Sequence, residues 1–143
     1  PISQAYGCTS FPEISGYNCP SSRPWFHAGV DLAGARGDPL YAVMDGQVEF
    51  VGVSQGVLCH YSGSEEPHTN LGWVIQIRSG PYLIKYGHTI VNSQRVAAGD
   101  RVHPGQLIGL MGSTGCSTGA HLHFQVQNAN GFVDPFNLIT TGR

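Results

Sequence analysis

Apolar and polar positions alternate along much of this chain, as is typical of β-strands whose side chains point in turn to opposite faces of a sheet. Residues 73–77 and 82–86 alternate on either side of a turn predicted at residues 79–81. The Asp45-Gly46 dipeptide lies between two alternating segments and predicts a hairpin there. The further segments predicted to form strands are 39–44, 48–53, 107–110 and 121–126.

Three segments interrupt this alternation. Residues 1–24 lack periodicity and predict a coil, the N-terminal segment, which precedes a single domain at residues 25–143. Residues 54–71 predict a long surface loop, and residues 90–98 contain the only helix-like stretch, with room for a turn or two. The predicted fold class is therefore all-β: an antiparallel β-sheet or barrel-sandwich hybrid with long loops and little helix.

Composition narrows the possible functions. Charged residues make up 11% of the 143 residues and the formal net charge is -2, so the chain lacks the basic excess of a nucleic-acid-binding surface. The 41% hydrophobic content is that of a globular domain. No apolar run approaches the roughly 20 residues of a membrane span, so no membrane span is expected. Histidine is unusual, because its 7 residues equal Lys and Arg together.

The four cysteines predict an oxidising environment. Cys8, Cys19, Cys59 and Cys116 include no C-x-x-C pair of the kind found in zinc ribbons or dithiol redox sites. An even number of separated cysteines fits two disulfides, for which the sequence allows three connectivities. Local closure favours Cys8–Cys19, which leaves Cys59–Cys116. The alternative is four reduced cysteines in a cytosolic protein.

One candidate for chemistry is the segment from His27 to Asp31. Side chains four residues apart lie on the same side of an extended segment, and Gly29 between them would let the backbone bend so that both converge. Taken alone this spacing is common, and the alternative is an unrelated surface histidine and aspartate.

A second candidate is the predicted strand that begins at His121. His121, His123 and Gln125 would share one face of it, while alternate apolar residues pack into the core. Two imidazoles then lie side by side over a cleft, although an exposed polar face would give the same pattern. His88, at the end of another predicted strand, is by itself more typical of a structural histidine.

Together these residues predict a metal site. One carboxylate and two imidazoles are the three protein ligands of a catalytic zinc ion, whose fourth position stays open. Two neutral histidines and one aspartate leave positive charge on the ion, which lowers the pKa of a bound water. Two further histidines remain for proton transfer or oxyanion stabilisation.

The order of these motifs resembles that of the lysostaphin/LytM-type zinc metalloendopeptidases, peptidase family M23. The resemblance extends over residues 25–138. The matching segments are His27-x-x-x-Asp31, 37–48, Gly87-His88, 99–109, 112–126 with its His121-x-His123 pair, and Asp134-Pro135.

The resemblance implies a role for each residue. His27, Asp31 and His123 match the ligands of one Zn²⁺ per chain, and His88 and His121 match the catalytic histidines. A metal-activated water would attack a peptide carbonyl. His121 would deprotonate or hold that water, and His88 would stabilise the oxyanion or protonate the leaving amine; which histidine does which is left open.

The implied function is a secreted, extracellular or periplasmic endopeptidase, expected as a monomer, that hydrolyses peptidoglycan peptides at Gly- or Ala-containing cross-bridges or stem peptides. The alternative is a non-catalytic M23-like module that binds cell wall or a partner hydrolase. If Cys116 pairs with Cys59, it would tie the 54–71 loop to the rim of the cleft. The histidines left without chemistry are His60, His68 and His103, of which the first two are expected to be solvated.

Overall fold

Twelve short to medium β-strands account for nearly all regular structure in the computed structural model, which describes residues 2–11 and 13–137. The predicted all-β class is confirmed. A helical turn covers residues 135–137, and no helix within the described residues is both long and apolar enough to cross a membrane. The strands are β1 (Ile2–Gln4), β2 (Gly7–Thr9), β3 (Trp25–His27), β4 (Gly29–Ala33), β5 (Pro39–Tyr41), β6 (Gly46–Val53), β7 (Trp73–Ser79), β8 (Tyr82–Thr89), β9 (Arg101–Val102), β10 (Leu107–Leu110), β11 (His121–Asn128) and β12 (Gly131–Val133).

The strands form one large open sheet and two small ones. The large antiparallel sheet has the order β1-β4-β11-β8-β7-β6-β9, with β12 paired to β11. Strands β5 and β10 form one two-stranded sheet, and β2 and β3 form the other. The three strands β4, β11 and β8 are neighbours, and they contain most of the candidate site residues.

The core lies on one face of the large sheet. Alternation places every second side chain of the long strands on that face, where Ile75, Ile84 and Phe124 are almost fully buried. Leu40 from β5 and Ile108 from β10 belong to the same apolar cluster, so the small sheet covers this face. The strands predicted at residues 73–77, 82–86, 107–110 and 121–126 are confirmed.

The opposite face of the sheet forms the floor of a groove. Gln76, Lys85 and Gln125 are cross-strand neighbours on β7, β8 and β11. They line a cavity of about 780 Å³ together with His27 and His123. The polar half of the alternating pattern therefore faces a cleft rather than open solvent.

The hairpin predicted at Asp45-Gly46 is wrong. Strand β5 pairs with β10, and β6 pairs with β7 and β9. Gly46 lies within β6, and a Cβ atom there would lie 2.5 Å from the carbonyl oxygen of Arg78 on the neighbouring strand. This glycine therefore permits close approach of two strands and not a tight turn.

The helical turns predicted within residues 90–98 are also absent. The backbone N–H groups of Ile90 and Arg95 donate to the carbonyls of Leu110 and Ile108. These bonds join the segment to β10 instead of closing helical turns. Tertiary pairing thus outweighs a weak local preference.

The N-terminal segment is not the coil that the sequence predicts. It contains β1 and β2, which pair with β4 and β3 and so attach the segment to the rest of the fold. The ring of Tyr17 also stacks on that of Phe26, with centroids 4.2 Å apart. The domain boundary at residues 24 and 25 stays a prediction.

Both favoured disulfides are present. Cys8 pairs with Cys19, and Cys59 pairs with Cys116. The second bond joins the 54–71 loop to the loop that precedes β11. Backbone hydrogen bonds support the same junction, since Cys116 N–H donates to the Asn70 carbonyl at 2.6 Å. Asn70 also lines the groove, so this junction lies at its rim.

Candidate metal centre

The first two site residues lie where the chain passes from β3 into β4. His27 ends β3 and Asp31 lies within β4, and both are buried. Gly29 has a role beyond the bend that the sequence predicts, because its missing side chain leaves room for β11. A Cβ atom there would lie 2.5 Å from the Phe124 carbonyl oxygen and 3.0 Å from the His123 ring.

The third residue, His123, lies opposite Asp31 on the neighbouring strand β11. This register places the two side chains on one face, with His123 Nδ1 3.1 Å from Asp31 Oδ1. His27 Nε2 reaches the same carboxylate oxygen at 3.3 Å. Within the described part of the chain, these three residues form the only group of three or more histidine, cysteine or acidic residues whose ligand atoms lie within 4.8 Å of one another.

Hydrogen bonds at the other ring nitrogens of His27 and His123 fix the tautomer of each imidazole. His27 Nδ1–H donates to the Ala5 carbonyl at 2.9 Å, and His123 Nε2–H donates to Gln125 Oε1 at 3.0 Å. In the neutral imidazoles, the nitrogens that face Asp31 therefore hold lone pairs. Two lone pairs and a carboxylate oxygen converge, an arrangement that requires either an extra proton or a cation. This donor set fits a divalent metal such as zinc.

The electrostatics of the protein without metal agree with this requirement. Burial disfavours the charged form of Asp31, but hydrogen bonds with His123 and His27 outweigh it and hold the pKa of Asp31 well below its usual range. Burial also opposes protonation of His27, yet interaction with Asp31 raises the pKa of His27. The direction of both shifts shows that the buried Asp31 carboxylate favours a positive charge beside it, which a metal ion would also supply.

His121 lies beside this group with its Nε2 atom facing inward. Its Nδ1–H donates to the Gly119 carbonyl at 2.9 Å, which leaves the Nε2 lone pair free in the neutral ring. Nε2 lies 3.7 Å from Asp31 Oδ1. His121 is thus adjacent to the three-residue group and keeps one nitrogen available to accept a proton.

His88 completes the cluster from the end of β8. Its φ of +63° is rare for a residue with a side chain. Its Nδ1–H donates to the Thr114 carbonyl at 2.5 Å, and its ring centroid lies 4.5 Å from that of His121. Burial and the neighbouring imidazoles lower the pKa of His88 to about 3, so the ring is neutral with a free Nε2.

The structure therefore brings the five site residues from the sequence into one cluster, and it leaves three histidines outside. His60 is exposed, as expected, and His103 is exposed as well. His68 is half-buried rather than solvated, and its Nδ1 lies 3.0 Å from Ser64 Oγ.

Sequence reasoning missed the groups that orient the cluster. Gln125 was placed on the correct face without a role, although the H-x-H-x-Q alternation was a usable signal. The carbonyls of Ala5, Thr114 and Gly119 had no signal, because every residue has a backbone carbonyl.

Comparison with known proteins finds one matching family. The model described as Peptidase family M23 matches residues 25–135. The chain is 38% identical over 123 residues to the glycyl-glycine endopeptidase ALE-1 of Staphylococcus capitis, covering 85% of this chain and 28% of that protein. It is 34% identical over 99 residues to the peptidoglycan DD-endopeptidase ShyC of Vibrio cholerae, covering 69% and 19% respectively. The chain thus spans less than a third of either relative.

Among solved structures, the chain resembles the catalytic domain of lysostaphin, described as an antimicrobial peptidase from Staphylococcus simulans. The TM-score is 0.72 and the identity 27%, and the match covers 99% of this chain and 92% of that one. The similarity therefore extends over nearly the whole of both chains.

Proposed function

The chain belongs to peptidase family M23, and we propose that it is a zinc-dependent endopeptidase that hydrolyses peptide bonds in bacterial peptidoglycan. The main support is the convergence of acceptor atoms from His27, Asp31 and His123, which calls for a cation at that point. The name of the relative ShyC, a peptidoglycan DD-endopeptidase, supports a peptidoglycan substrate, and the name of ALE-1, a glycyl-glycine endopeptidase, supports cleavage of peptide bonds.

In this proposal His27, Asp31 and His123 would hold the zinc ion. Zinc, when bound, supplies Lewis acidity that polarises a peptide carbonyl and lowers the pKa of a water molecule. The Ala5 carbonyl and Gln125 hold the two imidazole rings in the tautomers that direct lone pairs inward.

His121 acts as the general base. Its Nδ1–H is engaged with the Gly119 carbonyl, so its Nε2 lone pair can accept a proton from the attacking water. The 3.7 Å between Nε2 and Asp31 Oδ1 supports a role beside the proposed ligands.

His88 passes the proton that His121 accepts on to the leaving amine. With its Nδ1–H donated to the Thr114 carbonyl, the neutral ring can only accept at Nε2. It therefore cannot donate to an oxyanion in its resting state. Once protonated, it would donate to the leaving amine, and its contact with His121 gives that proton a short path.

Two further features of the protein fit an enzyme that acts on the bacterial cell wall. Two disulfides favour a secreted, extracellular or periplasmic location. The groove beside the ligands, at about 780 Å³, is in the size range of ligand-binding clefts, which supports binding of a peptide there. We propose that the protein acts as a monomer, because all five site residues come from one chain.

Measurement of the zinc content, combined with digestion of peptidoglycan, tests this proposal. Purified protein is expected to contain one zinc per chain and to clear a peptidoglycan suspension, with clearing lost on chelation and restored by zinc. His121→Ala should keep zinc but reduce turnover by about 10²–10⁴-fold, whereas His123→Ala should lose zinc. The exposed His103→Ala is the matched control and should change neither.

Two results would contradict it. Protein without zinc that binds walls but releases no peptide would favour a non-catalytic module. Loss of zinc in His121→Ala would overturn the ligand assignment.

A further inference from the structure

Lys85 has an unusual position in the groove. It is the only lysine of the chain, and it lines the groove that contains His27 and His123. Among residues 2–11 and 13–137, no carboxylate lies within 4.0 Å of its ammonium group. Both ion pairs made by arginines in that part of the chain, Arg36–Glu65 and Arg78–Glu49, lie at exposed positions.

The sheet register places Lys85 close to the ligands. Lys85 is paired with Gln125, which is two residues from His123 on β11. Diagonal neighbours of this kind lie about 7–8 Å apart between Cα atoms, a distance spanned by about two residues of an extended peptide. A peptide cut at the metal centre therefore has groups within reach of the Lys85 ammonium.

The neighbours of Lys85 leave its charge uncompensated. Gln76 and Gln125 flank it on β7 and β11, and Gln127 lies further along β11; all three are neutral. Glu13 is the acidic residue that lines the groove, and it interacts with His27 instead. Lys85 is half-buried, and burial lowers its pKa. A cation in such surroundings is stabilised when an anion binds beside it.

We propose that Lys85 binds a carboxylate of the peptide substrate, within about two residues of the scissile bond. Resting on the proposed function, this assigns the substrate class: peptides that carry a free carboxylate close to the scissile bond, rather than uncharged polyglycine bridges. The neighbouring glutamine amides are positioned to assist, because each can donate a hydrogen bond to a carboxylate oxygen.

Matched substrates test the assignment. Zinc-loaded protein would be given a diaminopimelate cross-linked dimer of stem peptides, the same dimer with that carboxylate amidated, and pentaglycine. Wild type should prefer the acid dimer, and Lys85→Gln should lower kcat/KM for it by about 10–100-fold, mainly through KM, with little change for the amidated dimer. Lys85→Arg should restore most of the loss.

A second measurement does not depend on turnover. Because Lys85 is the only lysine, an amine-specific reagent can label it at a site that peptide mapping separates from the N-terminal amine. On metal-free protein, a diaminopimelate stem tetrapeptide should slow labelling of Lys85, and the amidated tetrapeptide should not. Arg101→Gln, which removes an exposed cation on β9 outside the groove, is the control variant and should behave as wild type.

The outcomes separate the two proposals. Equal cleavage of the acid and amidated dimers, or preference for pentaglycine, would overturn the role of Lys85 and leave a peptidase. If zinc-loaded protein cleaves none of the peptides, the proposed function fails. The labelling experiment then shows by itself whether Lys85 binds a carboxylate. Equal labelling with and without the acid tetrapeptide would mean that Lys85 only extends its ammonium into solvent.

Discussion

At the scale of single residues, the candidate site depends on the hydrogen bond that each imidazole makes with its outer nitrogen. The Ala5 carbonyl holds His27, and Gln125 holds His123. Such partners fix the tautomer and orientation of a ligand and increase its basicity. Gln125 is itself held, since its Nε2 donates to Gln127 Oε1 at 3.2 Å.

Gln125→Leu is expected to weaken zinc binding by about 10–100-fold, because His123 Nε2–H loses its acceptor and the ring loses its orientation. Competition with a chromophoric chelator measures the zinc dissociation constant directly. Gln125→Glu, which keeps an acceptor oxygen, should bind zinc at least as tightly as wild type. Gln76→Leu lies on the same face of the sheet, two strands away from Gln125, and serves as the control. An unchanged constant in Gln125→Leu would remove Gln125 from the orienting groups.

At the scale of elements, the site depends on how closely β4 and β11 approach. Asp31 and His123 are directly opposed in that pair, and Gly29 provides the space two residues away. On its other side β11 pairs with β8, which brings His88 to the same cluster. Three adjacent strands thus bring together residues that are distant in the sequence.

Gly29→Ala is expected to lower the free energy of unfolding by about 1–3 kcal/mol, because the new methyl group meets a backbone oxygen that cannot turn away. Zinc affinity should fall as well, since the His123 ring must shift. Urea denaturation and chelator competition measure the two effects. Gly119→Ala is the control, because a Cβ atom there would meet nothing within 4 Å. Equal stability of the two variants would contradict the crowding argument.

The sequence predicts these elements better than it predicts their partners. Strands β7, β8 and β11 follow from alternation, and the choice of His27, Asp31 and His123 follows from the resemblance of the motifs to the family. The pairing of β5 with β10 does not follow from the sequence. Asp45-Gly46 has the composition of a hairpin turn, but Gly46 is needed for the close approach of β6 to Arg78. Local composition cannot distinguish a glycine required for a turn from one required for close packing.

At the scale of the whole molecule, two disulfides and the N-terminal strands hold the periphery to the sheet. Cys59–Cys116 closes a sequence separation of 57 residues, and Cys8–Cys19 closes one of 11. The larger closure joins the two loops that hold His88. The Leu71 carbonyl accepts a hydrogen bond from the backbone N–H of His88, and the Thr114 carbonyl accepts one from the His88 ring.

Replacing both members of each pair with serine should destabilise the protein by about 4 kcal/mol for Cys59–Cys116 and about 3 kcal/mol for Cys8–Cys19, because a longer closed loop restricts the unfolded chain more. Urea denaturation of the two double variants measures the difference. Removal of Cys59–Cys116 should also reduce turnover at saturating zinc, since His88 loses part of its support. A greater loss from the Cys8–Cys19 pair would show that native contacts, not chain entropy, dominate.

The sheet order also bears on how the chain reaches its native state. The residues of the cluster and the groups that orient them come from positions 5, 27–31, 88, 114 and 119–125, and β4 must pair with β11 across some ninety intervening residues. Loop-closure entropy for such contacts must be overcome before any of them stabilises the fold, which is typical of slow-folding proteins. No partly folded chain that lacks the β4–β11 pairing brings Asp31 and His123, two of the three proposed ligands, together. Zinc uptake would therefore serve as a kinetic reporter of the last stages of folding.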